Sequence, residues 1–411
     1  MHIDSERLNR GLAELARIGA RPDGGVQRLA FTQEDLAGRE YVAGRLRGIG
    51  LEPQVDAIGN LFAIRPGIER ESGRTGVVLL GSHTDTVGNA GRYDGSLGVL
   101  SALEVLEVLQ EGGIQTRHPV GLVSFVNEEG VRFMPDMMGS LYLRGDLDLD
   151  EVRSITGTDG VPIGGELDRL RMAGTDSLGD HPIRAFLEVH IEQGPELERQ
   201  GAAVGAVTGV QGLNWMEVSL DGRANHAGTT PMQDRKDCGL LAAEIIREVR
   251  ALTGEISGLR GTVGRVSLKP NLINVIPGRA TLTVDLRHPH QPTLESSSRE
   301  IRGRVVRIAR EHGIEIQVRD TASAPAVDFD PEVVTAITDS MAALGLGDRR
   351  LVSGAGHDAQ IMASAHPSGM IFVRSRDGVS HNPAEYSSPE DCAAGAAVLL
   401  GAALRLAELV D

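Results

Sequence analysis

A histidine and two aspartates lie among glycines and other small residues in the stretch GSHTDTVGNAGRYDGSLGV. His83 ends an apolar run, and Asp85 and Asp94 follow it. Residues two apart on a strand point to the same side, so Asp85 is placed to accept the second ring N–H of His83, as metal-binding histidines usually require. The glycines near Asp94 allow the loop to bring another carboxylate towards His83. This cluster predicts a metal site, although an H-x-D pair in a glycine-rich turn also occurs by chance.

Side chains of the same kinds follow other apolar runs. FVNEEG places Glu128 and Glu129 after one such run, where adjacent like charges are costly unless a cation or a proton accompanies them. FLEVHIEQGP supplies His190, and the loop DGVSHNPAEY supplies His381. A solvated acidic loop and structural histidines are the alternatives. Four such groups in one fold favour a shared centre.

The number of these side chains suits a pair of divalent ions. Two ions roughly 3.5–4 Å apart need a bridging carboxylate and about two further ligands each. The sequence offers Asp94 as the bridge, His83 and His190 for one ion, and Glu129 and His381 for the other. Glu128 remains, and an unligated carboxylate beside an activated water is suited to act as a general base. Histidine and carboxylate ligands favour zinc, with manganese, cobalt or nickel as alternatives.

Composition narrows the classes of partner and compartment. The 411 residues carry a net charge of −16, spread along the chain, which argues against nucleic acid and against an anionic membrane surface. Cys238 and Cys392 are isolated, so neither a zinc knuckle nor a disulfide framework is indicated. The N-terminus does not resemble a signal peptide, and no apolar run approaches the roughly 18 residues of a membrane span. We therefore expect a cytoplasmic protein.

The elements that must position these side chains alternate between helix and strand. Helical patterns at 5–16 and 33–48 are followed by apolar runs such as GVVLLGSH and GLVSFVNEE, which are typical of buried strands. Their polar groups lie at the C-terminal ends, the edge where open α/β sheets bind ligands. The pattern predicts an α/β catalytic domain with a mixed, mainly parallel sheet flanked by helices.

Near Gly212 the order of elements becomes βαββαβ and continues to Pro325. The segments after Pro325 resemble those before Gly212, with helices and strand-to-loop units, so the smaller domain is an insertion. The predicted domains are a discontinuous catalytic domain at 1–212 and 326–411, and a smaller domain at 213–325. We expect hinges near Gly212 and Pro325, with an open and a closed state.

Seven motifs, in order along essentially the whole chain, resemble the hydantoinase/carbamoylase branch of the dinuclear metal amidohydrolases and aminopeptidases. That branch includes N-carbamoyl-L-amino-acid hydrolases, β-ureidopropionases and allantoate amidohydrolases. The motifs are GSHTDTV with GRYDGSLGVLSALEVL, NEEGVRF, EVHIEQGPELE, GRANHAGTTPMQDRKD, NVIPGRATLTVDLR, SGAGHDA and GMIFVRSRDGVSHNPAEY.

The resemblance implies the same metal ligands, with Glu128 as catalytic base and Asp85 supporting the ligands. It also implies a cis peptide bond after Asp94 and a smaller domain that dimerises, so we expect a homodimer. His226 would reach a neighbouring subunit's active site and stabilise the developing oxyanion. The substrate contacts that it implies are Gln193, Asn274, Arg287, Gly356 and His357. Of these, Arg287 offers a planar fork suited to a substrate carboxylate, and Asn274 would bind beside it.

The expected reaction is hydrolysis of a ureido group on a small molecule that also carries a carboxylate. N-carbamoyl-L-amino acids are favoured over allantoate and N-carbamoyl-β-alanine. A deacylase or aminopeptidase of the same superfamily is one alternative, although SHNPAEY and EQGPELE favour the carbamoylases. A metal-dependent binding protein that has lost activity is another, and the presence of Glu128 argues against it.

Overall fold

One stretch of the chain, Val210–Val327, forms a unit of its own between the two parts of a larger unit, Met1–Gly209 and Asp328–Asp411. The sequence predicts this insertion at 213–325, so the unit begins and ends slightly outside the predicted bounds. The structure is a computed structural model, and it describes residues 2–69 and 76–410.

The larger unit begins with two helices and then alternates strands and helices. The helices are α1 (Ser5–Leu15), α2 (Gln33–Gly48), α3 (Ser96–Glu111), α4 (Met138–Arg144), α5 (Leu149–Ser154), α6 (Ile163–Leu170) and α7 (Glu196–Arg199). The strands are β1 (Gln54–Val55), β2 (Leu61–Arg65), β3 (Val77–His83), β4 (Val120–Phe125), β5 (Ile183–Ile191) and β6 (Val204–Val210).

The inserted unit has seven described strands and two long helices. In chain order these are β7 (Gly212–Asp221), β8 (Asn225–His226), α8 (Cys238–Glu255), β9 (Arg260–Thr262), β10 (Val266–Lys269), β11 (Val275–Ile276), β12 (Arg279–His288), α9 (Gln291–Glu311) and β13 (Glu315–Ala324). The chain then completes the larger unit with β14 (Val327–Asp328), α10 (Pro331–Ala343), β15 (Arg350–Ser353), α11 (Asp358–Met362), β16 (Ser368–Val373) and α12 (Pro389–Leu406).

The sheet of the larger unit has nine strands, in the order β1-β2-β4-β3-β5-β16-β6-β14, with β15 also paired to β6. β4, β3, β5 and β16 are mutually parallel, whereas the pairs β1-β2, β2-β4 and β16-β6 are antiparallel. The predicted mixed sheet is therefore confirmed, and its parallel part is the centre. Because β4, β3, β5 and β16 run in one direction, the loops after their last residues emerge at one edge.

Burial explains why these strands lie at the centre. Every residue of β3, β4 and β16 is buried, as expected for strands covered on both faces. Helix α3 packs on β3, β4 and β5, and α12 packs on α3, α10 and β16. The resulting core fixes the ends of the central strands, so the side chains that follow them have rigid supports.

The inserted unit alternates buried and exposed residues along its strands. On β12 the residues Ala280, Leu282, Val284 and Leu286 are buried, while the residues between them are more exposed. The buried face packs against α8 and α9 in a core of its own. The predicted βαββαβ order is present, with its second strand divided into β9 and β10, which both pair with β12. The short ribbon β8-β11 was not predicted.

No helix within residues 2–69 and 76–410 is long and apolar enough to cross a membrane. Cys238 and Cys392 are both buried as free thiols.

Candidate metal centre

Five of the predicted site residues meet at the C-terminal edge of the parallel strands. His83 is the last residue of β3, His190 lies near the end of β5, and Glu129 follows β4. Asp94 precedes α3, and His381 lies in the loop after β16. Ligand atoms of these residues form two groups that could each hold a metal ion. In each group the ligand atoms lie within 4.8 Å of one another. The groups are His83, Asp94 and His190, and Asp94, Glu129 and His381.

Asp94 belongs to both groups, and its two oxygens face different histidines. Oδ1 lies 3.1 Å from His190 Nε2 and 3.6 Å from His83 Nε2. Oδ2 lies 3.4 Å from His381 Nε2, which is itself 3.6 Å from Glu129 Oε2. A carboxylate shared in this way has the arrangement that a bridging ligand between two cations requires.

The backbone after Asp94 allows this approach. Gly95 has a φ of +61°, and a Cβ on it would lie 2.3 Å from Cε1 of the His83 ring. The expected cis bond between Asp94 and Gly95 is wrong, since the cis bonds of the described residues are Met134–Pro135 and Lys269–Pro270. A trans bond is the lower-energy form before a residue other than proline, and the positive φ of Gly95 makes the sharp turn.

Both buried histidines present the same ring nitrogen to the centre. His83 Nδ1 lies 3.0 Å from the carbonyl oxygen of Asp85, and His190 Nδ1 lies 2.9 Å from that of Ile191. A carbonyl oxygen only accepts, so Nδ1 carries the proton in each ring and Nε2 faces Asp94. Burial lowers the pKa of His83 to about 4, which leaves that ring neutral at neutral pH.

Two buried atoms at this centre lack partners. His83 Nε2 and Glu129 Oε1 have no hydrogen-bond partner in the part of the chain that the structure describes. Buried polar atoms without partners are rare and costly. The two atoms belong to residue types that ligate zinc and similar cations. The residues therefore fit a pair of divalent cations.

The charges of the centre are strongly coupled. Burial and the charge of Glu129 raise the pKa of Glu128 well above its usual range, and burial and the charge of Asp94 do the same for Glu129. Burial alone would raise the pKa of Asp94 and lower that of His190. The mutual attraction of the two charges prevails, so the pKa of Asp94 falls well below its usual range and that of His190 rises to about 9. An excess of buried carboxylates is what a cation would compensate.

Glu128 lies at the edge of the metal groups. Its Oε2 is 3.5 Å from His83 Nε2, and the residue is 7% exposed. Glu128 also belongs to an alternative group with His83 and Glu129 that could hold an ion. Its position beside His83 and Glu129 suits a base that acts on a water at the centre.

Asp85 has a different contact from the predicted one. Its carboxylate Oδ1 is 3.7 Å from His83 Nδ1, too far for a hydrogen bond, and the Asp85 carbonyl accepts that proton instead. The carboxylate accepts the backbone N–H groups of Glu128 and Glu129, each at 3.2 Å. The prediction relied on strand alternation, but β3 ends at His83, so Asp85 is beyond the strand.

The remaining predicted residues of the larger unit lie beside the centre. Gln193 Nε2 donates to Asp94 Oδ2 at 2.8 Å. His357 is buried, its ring centroid is 4.5 Å from that of His190, and its Nε2 lies 2.8 Å from Ser353 Oγ. Gly356 leaves room for the methyl group of Met137, which a Cβ would approach to 2.3 Å.

Three predicted site residues lie in the inserted unit. His226 on β8 pairs with Val275 on β11, and the carbonyl of Asn274 accepts the N–H of Ala227, so His226 and Asn274 are neighbours. His226 is exposed, and its Nδ1 accepts the N–H of Gly228. Arg287 lies near the end of β12 and forms an ion pair with Asp285 at 3.0 Å.

Sequence reasoning missed residues that hold Asp94 in place. Glu385 Oε1 accepts the backbone N–H of Tyr93 at 2.9 Å and of Asp94 at 3.2 Å. Ser380 Oγ lies 2.9 Å from Asp94 Oδ2 and 3.0 Å from Glu385 Oε2. Both residues belong to the segment SHNPAEY. A carboxylate four residues after His381 was the available signal.

Comparisons with known proteins identify the family of this chain. Residues 79–405 match Peptidase family M20/M25/M40. The N-carbamoyl-L-amino-acid amidohydrolase of Rhizobium meliloti is 38% identical over 410 residues, covering 100% of this chain and 98% of that protein. The allantoate amidohydrolase of Bacillus subtilis (strain 168) is 35% identical over 396 residues, covering 96% and 95%.

Solved structures give the same result. An amidase of the hydantoinase/carbamoylase family from Burkholderia multivorans is 41% identical, with a TM-score of 0.95, over 99% of this chain and 98% of that chain. The family indicated by the seven motifs is therefore confirmed. The chain belongs to Peptidase family M20/M25/M40 and, within it, to the hydantoinase/carbamoylase amidases.

Proposed function

We propose that the protein is a metal-dependent amidohydrolase that cleaves the ureido C–N bond of an N-carbamoyl-L-amino acid. The products are the amino acid, ammonia and carbon dioxide. The observation that carries the proposal is the position of Asp94, whose two oxygens face separate groups of ligand atoms, with Glu128 beside both His83 and Glu129. The relative from Rhizobium meliloti, similar over its whole length, supports the substrate class.

The proposed ligands are His83 and His190 for one cation, Glu129 and His381 for the other, and Asp94 between them. Two divalent cations, with zinc favoured, would supply Lewis acidity to the ureido carbonyl and lower the pKa of a water. Glu128 takes the proton of the attacking water and passes it to the departing nitrogen. Asp85 holds Glu128 through its backbone N–H during both transfers.

We propose that Arg287 and Asn274 bind the substrate carboxylate, and that Gln193, Gly356 and His357 contact the remainder. The protein would act as a homodimer in which His226 stabilises the oxyanion in a neighbouring subunit's site. A histidine ring N–H can donate a hydrogen bond to the ureido oxygen on which negative charge develops.

A second candidate substrate is allantoate, because the relative from Bacillus subtilis is an allantoate amidohydrolase at 35% identity. Allantoate also carries a carboxylate and ureido groups, so the same centre serves both reactions. N-carbamoyl-β-alanine has the same two groups, separated by one more carbon atom than in an N-carbamoyl-α-amino acid.

Ammonia release distinguishes these substrates. Protein stripped of metal and reloaded with zinc, manganese, cobalt or nickel is assayed with N-carbamoyl-L-amino acids, N-carbamoyl-β-alanine and allantoate. N-acetyl amino acids and a dipeptide, assayed by free amine, are the controls. Cation-dependent ammonia release from N-carbamoyl-L-amino acids supports the proposal. Cleavage of the acetyl or peptide controls alone would assign the protein to the deacylases or peptidases instead.

A further inference from the structure

A fully buried arginine lies behind the candidate metal centre. Arg28 is in the loop between α1 and α2 and is 1% exposed. Burial lowers the pKa of its guanidinium to about 10, so it remains charged at neutral pH. A buried charge is expensive unless it is well compensated. The hydrogen-bond partners of Arg28 therefore indicate the function of this side chain.

All four hydrogen-bond acceptors of the Arg28 guanidinium are uncharged oxygens. They are the carbonyls of Thr84 at 2.6 Å, Leu15 at 3.1 Å and Ile18 at 2.9 Å, and the hydroxyl of Ser96 at 3.0 Å. Within the described part of the chain, Arg28 forms no ion pair. The guanidinium therefore acts as a fork of donors that joins separate segments, rather than as half of a salt bridge.

Two of these segments carry the candidate ligands. Thr84 lies between His83 and Asp85, and Ser96 follows Asp94 by two residues. The backbone of Arg28 adds a second attachment to the first segment: its N–H donates to Thr86 Oγ1 at 2.8 Å, and its carbonyl accepts the Thr86 N–H at 2.9 Å. Arg28 thus holds the segment 84–86 at both ends.

Segment 84–86 in turn sets two features of the centre. The carbonyl of Asp85 accepts from His83 Nδ1, which leaves Nε2 of His83 unprotonated towards Asp94. The carboxylate of Asp85 accepts the backbone N–H groups of Glu128 and Glu129. A displacement of this segment would change the orientation of a metal ligand and of the base together.

We propose that Arg28 is a positioning residue of the metal centre, which holds His83, Asp94 and the glutamate pair in register by anchoring segment 84–86 and Ser96. This inference rests on the proposed function, because it assumes that the centre binds cations. None of the hydrogen bonds that Arg28 forms with the described residues goes to a candidate metal ligand. Its effect passes through the hydrogen bonds of Thr84, Thr86 and Ser96.

Arg65 provides a matched control. It is also a buried arginine, and it donates to the carbonyls of Leu109 and Ile114 at the opposite end of α3 from Ser96. The variants Arg28→Lys and Arg65→Lys each keep the charge and lose the fork, because a lysine has only one nitrogen. Both should lower thermal stability, but only the first should alter the centre.

The experiment compares Co²⁺ binding by stripped wild type and both variants, by calorimetric titration and by the visible absorption spectrum of the Co²⁺-loaded protein. For Arg28→Lys we expect a loss of cation affinity of roughly tenfold or more and a changed spectrum, as for other partners of metal ligands. Arg65→Lys should bind Co²⁺ as wild type does, with an unchanged spectrum.

Each outcome has a separate meaning. Wild-type affinity and spectrum in a folded Arg28→Lys variant would overturn the inference and leave the proposed function standing. A wild-type protein that binds no cation would overturn the proposed function itself. If Arg28→Lys does not fold, Ser96→Ala removes one acceptor of the fork, with Ser101→Ala on the same helix as its control. Unchanged Co²⁺ binding by Ser96→Ala then overturns the inference, and several-fold weaker binding supports it.

Discussion

The carboxylate of Asp85 accepts the backbone N–H of Glu128 at 3.2 Å, and its second oxygen accepts that of Glu129. One side chain therefore fixes the proposed base and a proposed metal ligand. Burial raises the pKa of Asp85 to about 7, because the buried site disfavours the charged carboxylate. The contact indicates that the role of Asp85 is to position the glutamate pair.

Asp85→Asn should therefore impair catalysis more than folding. The amide keeps one acceptor oxygen and presents an N–H₂ group to the other backbone N–H, so one of the two bonds is lost. We expect kcat to fall roughly 10- to 100-fold, the range found for partners of metal ligands. Steady-state kinetics on the reloaded protein measure this. Asp330→Asn is the control, since Asp330 also accepts two backbone N–H groups, at the start of α10. Equal losses in both variants would argue against a positioning role.

Glu128→Gln should lower kcat by about 10²- to 10⁴-fold while the cations stay bound. Glutamine cannot take a proton, and general bases contribute typically 10²–10⁴-fold to the rate. The measurement is kcat together with the cation content after dialysis, with the exposed Glu40→Gln on α2 as control. Retained turnover with bound cations would remove Glu128 as the base. Loss of one cation would place Glu128 among the ligands, as the alternative group with His83 and Glu129 allows.

Subunit complementation tests the role of His226. If His226 acts in a neighbouring subunit, an inactive Glu128→Gln chain can lend its histidine to an inactive His226→Ala chain. Mixed dimers then hold one complete site, and co-expression of equal amounts should restore up to about a quarter of wild-type activity. Separately purified and unmixed variants are the control. Activity that never exceeds the sum of the two variants would show that His226 does not act across subunits.

Removal of the cations should destabilise the larger unit. Burial keeps Glu128 and Glu129 in a costly environment, and ligands that bind only the folded state stabilise it by mass action. At free cation about 1,000 times the Kd, this amounts to about 4 kcal/mol. Thermal unfolding before and after chelation, and after reloading, measures the change. Chelation should lower the unfolding temperature of an Asp94→Asn variant by less than that of wild type. An equal decrease in both proteins would show that the stabilising cations bind elsewhere.

Asp56 gives a prediction for stability against pH that is independent of the centre. Burial raises its pKa to about 6 despite hydrogen bonds from Asn60 and Ile58. Asp56 ionises at a lower pH in the unfolded chain than in the folded one. The stability that its protonated form contributes is therefore lost as the pH rises through 6. The free energy of unfolding of wild type relative to Asp56→Asn should fall by about 2 kcal/mol between pH 4.5 and 7. The exposed Asp150→Asn is the control. A difference that does not change with pH would contradict the shifted pKa.

The sequence predicts the ligand edge because strand ends are local features. His83 and Glu129 follow apolar runs whose length and glycine boundaries mark strands, and parallel strands bring their ends together without further information. Helix α2 is predicted at its observed bounds, because its helical pattern runs from Gln33 to Gly48.

Contacts that depend on the packed interior were beyond sequence reasoning. The burial of Arg28 results from the packing of the segments that contain Leu15, Thr84 and Ser96, and no local pattern distinguishes it from a surface arginine. The orientation of the Asp85 carboxylate depends on how the chain turns after β3. Alternation along a strand therefore gave the wrong partner.

Ammonia release from an N-carbamoyl-L-amino acid, measured as cations are added stepwise to stripped protein, tests directly whether two cations act in ureido hydrolysis. The position of Asp94 between two ligand groups predicts that activity rises to a plateau at two cations per chain. A plateau at one cation, or no cation-dependent release from any ureido substrate, would contradict a centre of two cations acting in ureido hydrolysis.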